Sequence, residues 1–556
     1  MKQYLIVKGS KIKVAFTIFF SVAYLMASAQ IPYVTLSRPE DKSITISILS
    51  PKSGNYIIKY GTNPGSYNKQ TPVLMGTSDQ PLRHVLADLE PDTRYYYMVQ
   101  YTNANTTANL LTPEYTFHTQ RSAGKSFTFT VEADEHLYDK KGVSSIYNIT
   151  LANQLSDKPD FMFSLGDTFG DDHTPEETTS QDMKQLHLDY IPYLAKITHS
   201  VPFFFCLGNH EGENGYYLNQ HDGSNIGVYG TNWRKYYFPN PVPNDFYTGN
   251  SHEEEYGIGL PENYYAFTWG NVQFIVLDVY RHCDINEKPK NWEWTLGKDQ
   301  YDWLKNTLES SNSKFKIVMA HHTRGQGRGG INTAKAFEWG GYSGDSGTNY
   351  QFDTNRPGWG VPIHQLMVNN GVNLYLQGHD HVYAKEELDG IIYQTMPMPS
   401  DSTYNLGYIA NGGAFDGVVL NGTGHLRFEV DEDCIKVDYV KAFLPLDTLA
   451  GLGKNGEIGH SYTIGACTSS TSNEAKSTLN IFPNPADNII HIRRSDLHTA
   501  PESVEIIDIN AQILYSGLYP ENATSHSIDV ANFLAGMYIV KIKNKDTFSF
   551  HKLIIH

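Results

Sequence analysis

Five short apolar runs, each closed by a cluster of Asp, Asn, Glu or His, punctuate the middle of the chain. Phe127 to Val131 (FTFTV) runs into Glu132-Ala133-Asp134-Glu135-His136, and Phe161 to Leu165 (FMFSL) into Gly166-Asp167. Pro202 to Leu207 leads to Gly208-Asn209-His210-Glu211, Lys316 to Ala320 leads to His321-His322, and Val372 to Gln377 leads to Gly378-His379-Asp380-His381. Runs this short and continuous predict strands buried on both faces. The polar clusters then fall at the carboxyl ends of those strands, where open α/β sheets place their sites. Val143–Leu155, Ser180–Ala195 and Asp299–Leu308 carry apolar residues at helical spacing between the runs. This βαβ rhythm predicts stacked sheets with helices outside.

The flanks read differently. From 31 to 120, runs such as SITISILS, NYIIKYG and YYYMVQY alternate with Gly, Pro and Asn, which predicts a β-sandwich. Leu89-Glu90-Pro91-Asp92-Thr93-Arg94-Tyr95 resembles the L-x-P-x-T-x-Y corner of fibronectin type III domains, where the tyrosine hydroxyl closes the turn. A Ser/Thr-rich linker at 465–478 leads into a second all-β segment, 479–556. Its P-N-P, G-M-Y and closing K-L-I-I elements resemble the C-terminal sorting domain of the type IX secretion system. That resemblance implies a Bacteroidetes-type Gram-negative host and passage across its outer membrane.

The five polar clusters, in order, resemble the signatures of the calcineurin-like metallophosphoesterases, the superfamily that includes the purple acid phosphatases: D-x-H, G-D, G-N-H-[DE], a His after a strand, and G-H-x-H. The resemblance covers roughly Ser126 to Phe443 and implies a four-layer αββα catalytic sandwich, bounded at 126–464, between the two all-β sandwich domains. It also implies two divalent metal ions. Metal one would take Asp134, His136, Asp167 and His381; metal two would take Asp167, Asn209, His321 and His379. The spacing suits that assignment, because residues two apart in an extended segment face one side, leaving Asp380 to point away. Asp167, with two carboxylate oxygens, is the bridge. His210 is expected to protonate the leaving oxygen, with Glu211 orienting its ring. His322 and Arg324, the latter alongside Arg328 in a long Gly-rich insertion, are expected at the substrate. Glu132 and Glu135, which flank the ligands, are expected to be solvated or to support them from behind. Purple acid phosphatases carry a tyrosine three residues after the bridging Asp; here that position is Gly170. The departure argues against ferric iron and for Mn, Fe(II) or Zn.

Composition narrows the reading. Of 556 residues, 60 are Asp or Glu against 43 Lys or Arg, a formal charge of −17, so no nucleic-acid-binding surface is expected. Four lysines, an apolar stretch Val14–Met26 and Ala27-Ser28-Ala29 read as a signal peptide, 1–29. That stretch is too short for a comfortable membrane span and no second one follows, so no transmembrane segment is expected. Among Cys206, Cys283, Cys434 and Cys467, Cys206 lies in an apolar run and is expected to be buried; any disulfide would pair two of the others. The sequence thus points to an exported phosphatase acting on small-molecule phosphomonoesters, carried by the type IX machinery to the medium or the outer-membrane surface. A phosphodiesterase or nucleotidase would use the same ions. A surface adhesin or glycan-binding protein with a degenerate core is the reading outside enzymes.

Overall fold

The computed structural model describes residues 31–103, 109–170, 173–219, 222–323, 327–344, 347–467, 479–494, 503–508, 513–520, 523, 525–544 and 547–555. The expected signal peptide, Arg324 and most of the 465–478 linker lie outside the described residues. The chain divides into two compact units, Met1–Ala466 and Cys467–His556.

Within the first unit, strands Tyr33–Ser37, Ile44–Leu49 and Leu82–Leu86 form one sheet, and a second is built on Gly54–Gly61 and Arg94–Asn103. Alternate residues of both sheets (Val34, Leu36, Ile46, Tyr95, Tyr97, Val99) share one core, as period-2 patterning requires. The Tyr95 hydroxyl accepts the Glu90 backbone N–H at 2.8 Å, closing the corner the motif suggested. Tyr97 Oη donates to the His199 carbonyl at 2.6 Å, tying this sandwich to the layers that follow.

Those layers hold the five apolar runs. A six-stranded sheet runs Phe203–Phe205, Phe161–Ser164, Phe127–Glu132, Gly424–Val430, Cys434–Lys441, Ile458–Gly465, its first three strands parallel. An eight-stranded sheet has Val272–Val276, Phe315–Met319, Leu374–Gln377 and Ile391–Thr395 as its parallel centre. The two sheets face each other across an aromatic core; Phe129 stacks on Phe428 at 4.4 Å and meets Phe274 edge-on at 5.0 Å. Helices Ser144–Ser156 and Ser180–Thr198 cover the first sheet through Tyr147, Leu151, Ile191 and Leu194. Gly297–Ser310 and Ile363–Asn369 cover the second through Tyr301, Leu304, Ile363 and Leu366. Helix, sheet, sheet, helix is the four-layer arrangement expected. Because the motif strands are parallel within each sheet, their carboxyl ends and polar clusters lie at the same edge of their sheet.

In the second unit, strands Leu479–Phe482, Ile489–Arg494 and Ser525–Asp529 form one sheet, and Ile513–Leu518, Ser503–Ile507, Gly536–Asn544 and Thr547–Ile555 another. Both contribute to one core, which includes Ile490, Ile492, Val504, Ile542 and Leu553. Cys206 and Cys283 are free, and Cys434 and Cys467 are disulfide-bonded. Among the described residues no helix is long and apolar enough to cross a membrane.

Candidate metal centre

Each strand exit turns sharply, and the turn residues are the expected ligands. Asp134, His136, Asp167, His379 and His381 all have positive φ, between 45° and 70°. A non-glycine residue in that region costs about 1–3 kcal/mol, and such strain collects where a site needs one geometry. Hydrogen bonds hold it in place. The His379 N–H donates to both Asp134 oxygens at 3.1 and 2.9 Å, and the His210 N–H donates to Asp167 Oδ1 at 2.9 Å. Gly208 is required where two exits meet, since a Cβ there would lie 2.3 Å from Asp167 Oδ1.

The side chains converge as two groups of possible metal ligands, Asp134, His136 and His381 in one and Asp167, His321 and His379 in the other. His136 Nε2 and His381 Nε2 face each other at 3.0 Å, and His379 Nδ1 faces His321 Nε2 at 3.3 Å. Asp167 Oδ2 reaches both groups, 3.8 Å from His136 Nε2 and 3.2 Å from His321 Nε2. Asn209 Oδ1 is buried and meets no donor among the described residues, although its backbone carbonyl accepts from Asn214. Imidazoles aimed at one another beside buried carboxylates are donors that divalent cations satisfy, and a buried amide oxygen without a donor at a neighbouring strand exit is compatible with them.

The outer contacts fix each ring. His321 Nδ1 bonds the Leu165 carbonyl at 2.8 Å and His379 Nε2 bonds the Gly327 carbonyl at 3.0 Å, leaving the other nitrogen of each ring inward. His136 Nδ1 lies 3.2 Å from Asp139 Oδ2 and 2.9 Å from the Tyr138 hydroxyl. Such contacts set the tautomer of a ligating histidine. Burial would raise Asp167, but the adjoining His321 and His210 hold it well below the usual carboxylate range. Burial would lower His321, yet Asp167 and Asp134 bring it up to about 10. Burial and His381 press His136 down to about 4, and burial with His322 and His321 lowers His379.

Several flanking residues stand elsewhere than expected. Glu211 was expected to orient the His210 ring. Its buried carboxylate instead accepts the backbone N–H groups of Gly208 at 2.5 Å, Thr168 at 2.7 Å, and Asp167 and Phe169 at 3.1 Å, pinning two motif loops together. Burial and Asp167 push it up to about 8. Glu132 and Glu135 are fully buried. Glu132 accepts from Tyr147 Oη and Gln154 Nε2, and Glu135 accepts from Ser164 Oγ and Thr168 Oγ1. Burial, then Glu135, raises Glu132 well above the usual range. Asp380 belongs to neither ligand group; it accepts the Gly329 N–H at 2.9 Å and holds Arg328 at 3.2 Å. Arg328 is therefore a brace of the His379 loop rather than a free anion clamp. His322 is fully buried and packs its ring 4.7 Å from that of His379.

Three residues near the centre escaped the sequence reading: Tyr138 and Asp139 behind His136, and His173, whose ring stacks on His210 at 5.2 Å. The spacing D-x-H-x-x-D was the one available signal for Asp139. His210 itself stands at the mouth, its side chain 22% exposed and Nε2 3.9 Å from Asp167 Oδ2.

Comparison with known proteins agrees with this geometry. Residues 127–383 match the calcineurin-like phosphoesterase family and residues 480–556 match the secretion system C-terminal sorting domain. No curated protein sequence matches the chain. The solved structure of PhoD superposes with a TM-score of 0.56 at 17% identity, over 79% of this chain and 91% of that one. The purple acid phosphatase PPD1 from yellow lupin (Lupinus luteus) superposes with a TM-score of 0.51 at 16% identity, over 78% of this chain and 74% of that one. At such identities these likenesses show a shared fold. The chain therefore carries a calcineurin-like phosphoesterase domain followed by a secretion system C-terminal sorting domain.

Proposed function

We propose that the protein is an exported dinuclear-metal phosphoesterase that hydrolyses phosphomonoesters. The observation that carries this reading is the position of Asp167 Oδ2, within 4 Å of histidines from both ligand groups, as a bridging carboxylate must be. Asp134, His136, Asp167 and His381 would hold one divalent ion, and Asp167, Asn209, His321 and His379 the other. Mn, Fe(II) and Zn all suit such mixed ligands. Bound there, two such ions would draw charge off the ester oxygens and lower the pKa of water.

The chain's own groups supply the rest. The two aspartates, both held on the ionised side, keep the centre anionic enough to retain cations. Asn209 contributes a neutral oxygen, which leaves the second ion more electrophilic than another carboxylate would. Glu211 fixes the backbone at 167–169 and 208, so that Asp167 and Asn209 keep their spacing. His210, partly exposed beside Asp167, is the group we assign to protonate the departing oxygen.

The sorting domain supports export by the type IX route, to the medium or outer-membrane surface of a Bacteroidetes-type bacterium. In that arrangement 1–29 is a signal peptide, 31–120 a fibronectin-like spacer, 126–464 the catalytic domain, 465–478 the linker and 479–556 the sorting domain.

The test is turnover of the metal-loaded protein, wild type and His210→Ala, on an alkyl phosphate, 4-nitrophenyl phosphate and a dialkyl diester. The wild type should cleave both monoesters faster than the diester. His210→Ala should lose about 10²–10⁴-fold on the alkyl ester and far less on the nitrophenyl ester, whose leaving anion needs no proton. Faster diester cleavage would make the protein a phosphodiesterase, and no cleavage at all would favour a binding protein. Equal losses on the two monoesters would remove the acid role.

A further inference from the structure

We propose that a cleft on the metal-two side binds a second phosphate of the substrate, so that bisphosphorylated esters are preferred to simple ones; this rests on the phosphoesterase reading above. A cavity of about 350 Å³ is lined by Lys288, Lys290, Trp294, Gly327 and Phe337, among others. Its position relative to the centre follows from one hydrogen bond. The Gly327 carbonyl takes His379 Nε2 at 3.0 Å, while Nδ1 of the same ring faces His321 Nε2 at 3.3 Å. A single imidazole ring therefore separates the cavity wall from the ligand group of metal two.

Cations line the cavity. Lys288 and Lys290 flank the buried Pro289, and Lys290 is extended, with φ −133° and ψ 140°. Residues two apart in an extended segment share a side, so both ammonium groups can serve the same cavity. The Lys290 backbone is held in turn by its N–H bond to Glu293 Oε2 at 2.7 Å. Nearby along the chain, Lys298 is paired with Asp302 and Lys305 with Glu309. Lys288 and Lys290 have no such ion pair among the described residues. In a chain of net charge −17, two ammonium groups with no ion pair among the described residues, beside a phosphate-cleaving centre, attract further negative charge on the substrate. Ions held by the ligand groups would neutralise the phosphate being cleaved, and the cavity with its lysines lies beyond His379, so the group they meet is a different one. Trp294 and Phe337, both largely buried, form an apolar floor suited to the carbon skeleton between the two phosphates.

The test compares glucose 1,6-bisphosphate, glucose 6-phosphate and 4-nitrophenyl phosphate on the full-length metal-loaded protein. Wild type should show a KM about tenfold lower for the bisphosphate than for the monophosphate, the scale of one hydrogen bond to a charged group. Lys288→Met with Lys290→Met should erase that difference while leaving kcat on 4-nitrophenyl phosphate unchanged. Lys288→Arg with Lys290→Arg should preserve it, which separates lost charge from lost folding. Equal KM values in the wild type, or a preference that survives the methionine pair, overturns the proposal while leaving the phosphoesterase reading intact. If the wild type cleaves none of the three esters, the phosphoesterase reading falls and this inference falls with it.

Discussion

His136 Nε2 and His381 Nε2 face each other at 3.0 Å across 245 residues of sequence. Two imidazole lone pairs at that distance need a proton or a cation between them, and the nearby Asp134 Oδ1, 3.5 Å from His381 Nε2, favours a cation. The orientation of His136 depends on Asp139, 3.2 Å behind it. Asp139→Asn should therefore weaken the first ion about 10–100-fold and leave the second unchanged. Calorimetric titration of the metal-free protein with Mn(II) reads both steps. Equal weakening of the two would show that Asp139 supports the fold rather than one ligand.

Binding at the second position should release a proton. With its neighbours Asp167 and Asp134, His321 titrates at about 10, so without an ion it is protonated at neutral pH. An ion must displace that proton, and its affinity should rise about tenfold per pH unit as pH climbs toward that value. The sign is fixed: the raised pKa favours the proton below it, so acid expels metal. Titrations at pH 6, 7 and 8 in buffers of differing ionisation enthalpy check this. Affinity independent of pH would mean that His321 is not a ligand.

Gly170 stands where the purple enzymes have their tyrosine. A Cβ there would lie 2.3 Å from the His210 carbonyl oxygen and 2.4 Å from His210 Cβ. Gly170→Ala should displace His210 and cost at least about tenfold in kcat on an alkyl phosphate, with metal content retained. Wild type loaded with iron should show no visible tyrosinate charge-transfer band, because Gly170 brings no phenol and the hydroxyl of nearby Tyr138 bonds His136 Nδ1. A purple preparation would contradict this.

Much of the fold, and the residues that gather as two candidate ligand groups, was legible because both are written locally. An apolar run ending in Gly and a polar residue marks a buried strand and its exit, but the turn itself was not legible: His379 and His381 have φ of 70° and 58°, not the extended backbone that their two-residue spacing suggests. The residues behind the ligands were harder to read, because their partners lie far off in sequence. Glu132 looks solvated as a letter in a string. Its burial depends on Tyr147 and Gln154, seven residues apart on one helix face. Glu211, next to His210, invited a pairing that local order suggests. The four backbone N–H groups it accepts come together only when two parallel strands end side by side. Arg328 looked like an anion clamp because nothing in its own segment shows Asp380.

The sorting domain should be dispensable for chemistry. Deleting Leu479 to His556 removes both sheets of the second unit and none of the ligands. The shortened chain should keep nearly full hydrolysis and fail to leave the cell. Activity in the cell and medium fractions of an expressing culture measures both effects. Normal export of the shortened chain would remove the proposed route.

The central claim is a pair of ions sharing Asp167, and metal content per chain tests it most directly. Purified wild type, dialysed against Mn(II) and measured by elemental analysis, should hold two ions per chain, while Asp167→Ala should hold fewer than one and lose hydrolysis. The same measurement on Asn209→Ala should leave close to one ion, because Asn209 serves only the second position. Two ions retained by Asp167→Ala would contradict the bridge and, with it, the dinuclear centre proposed here.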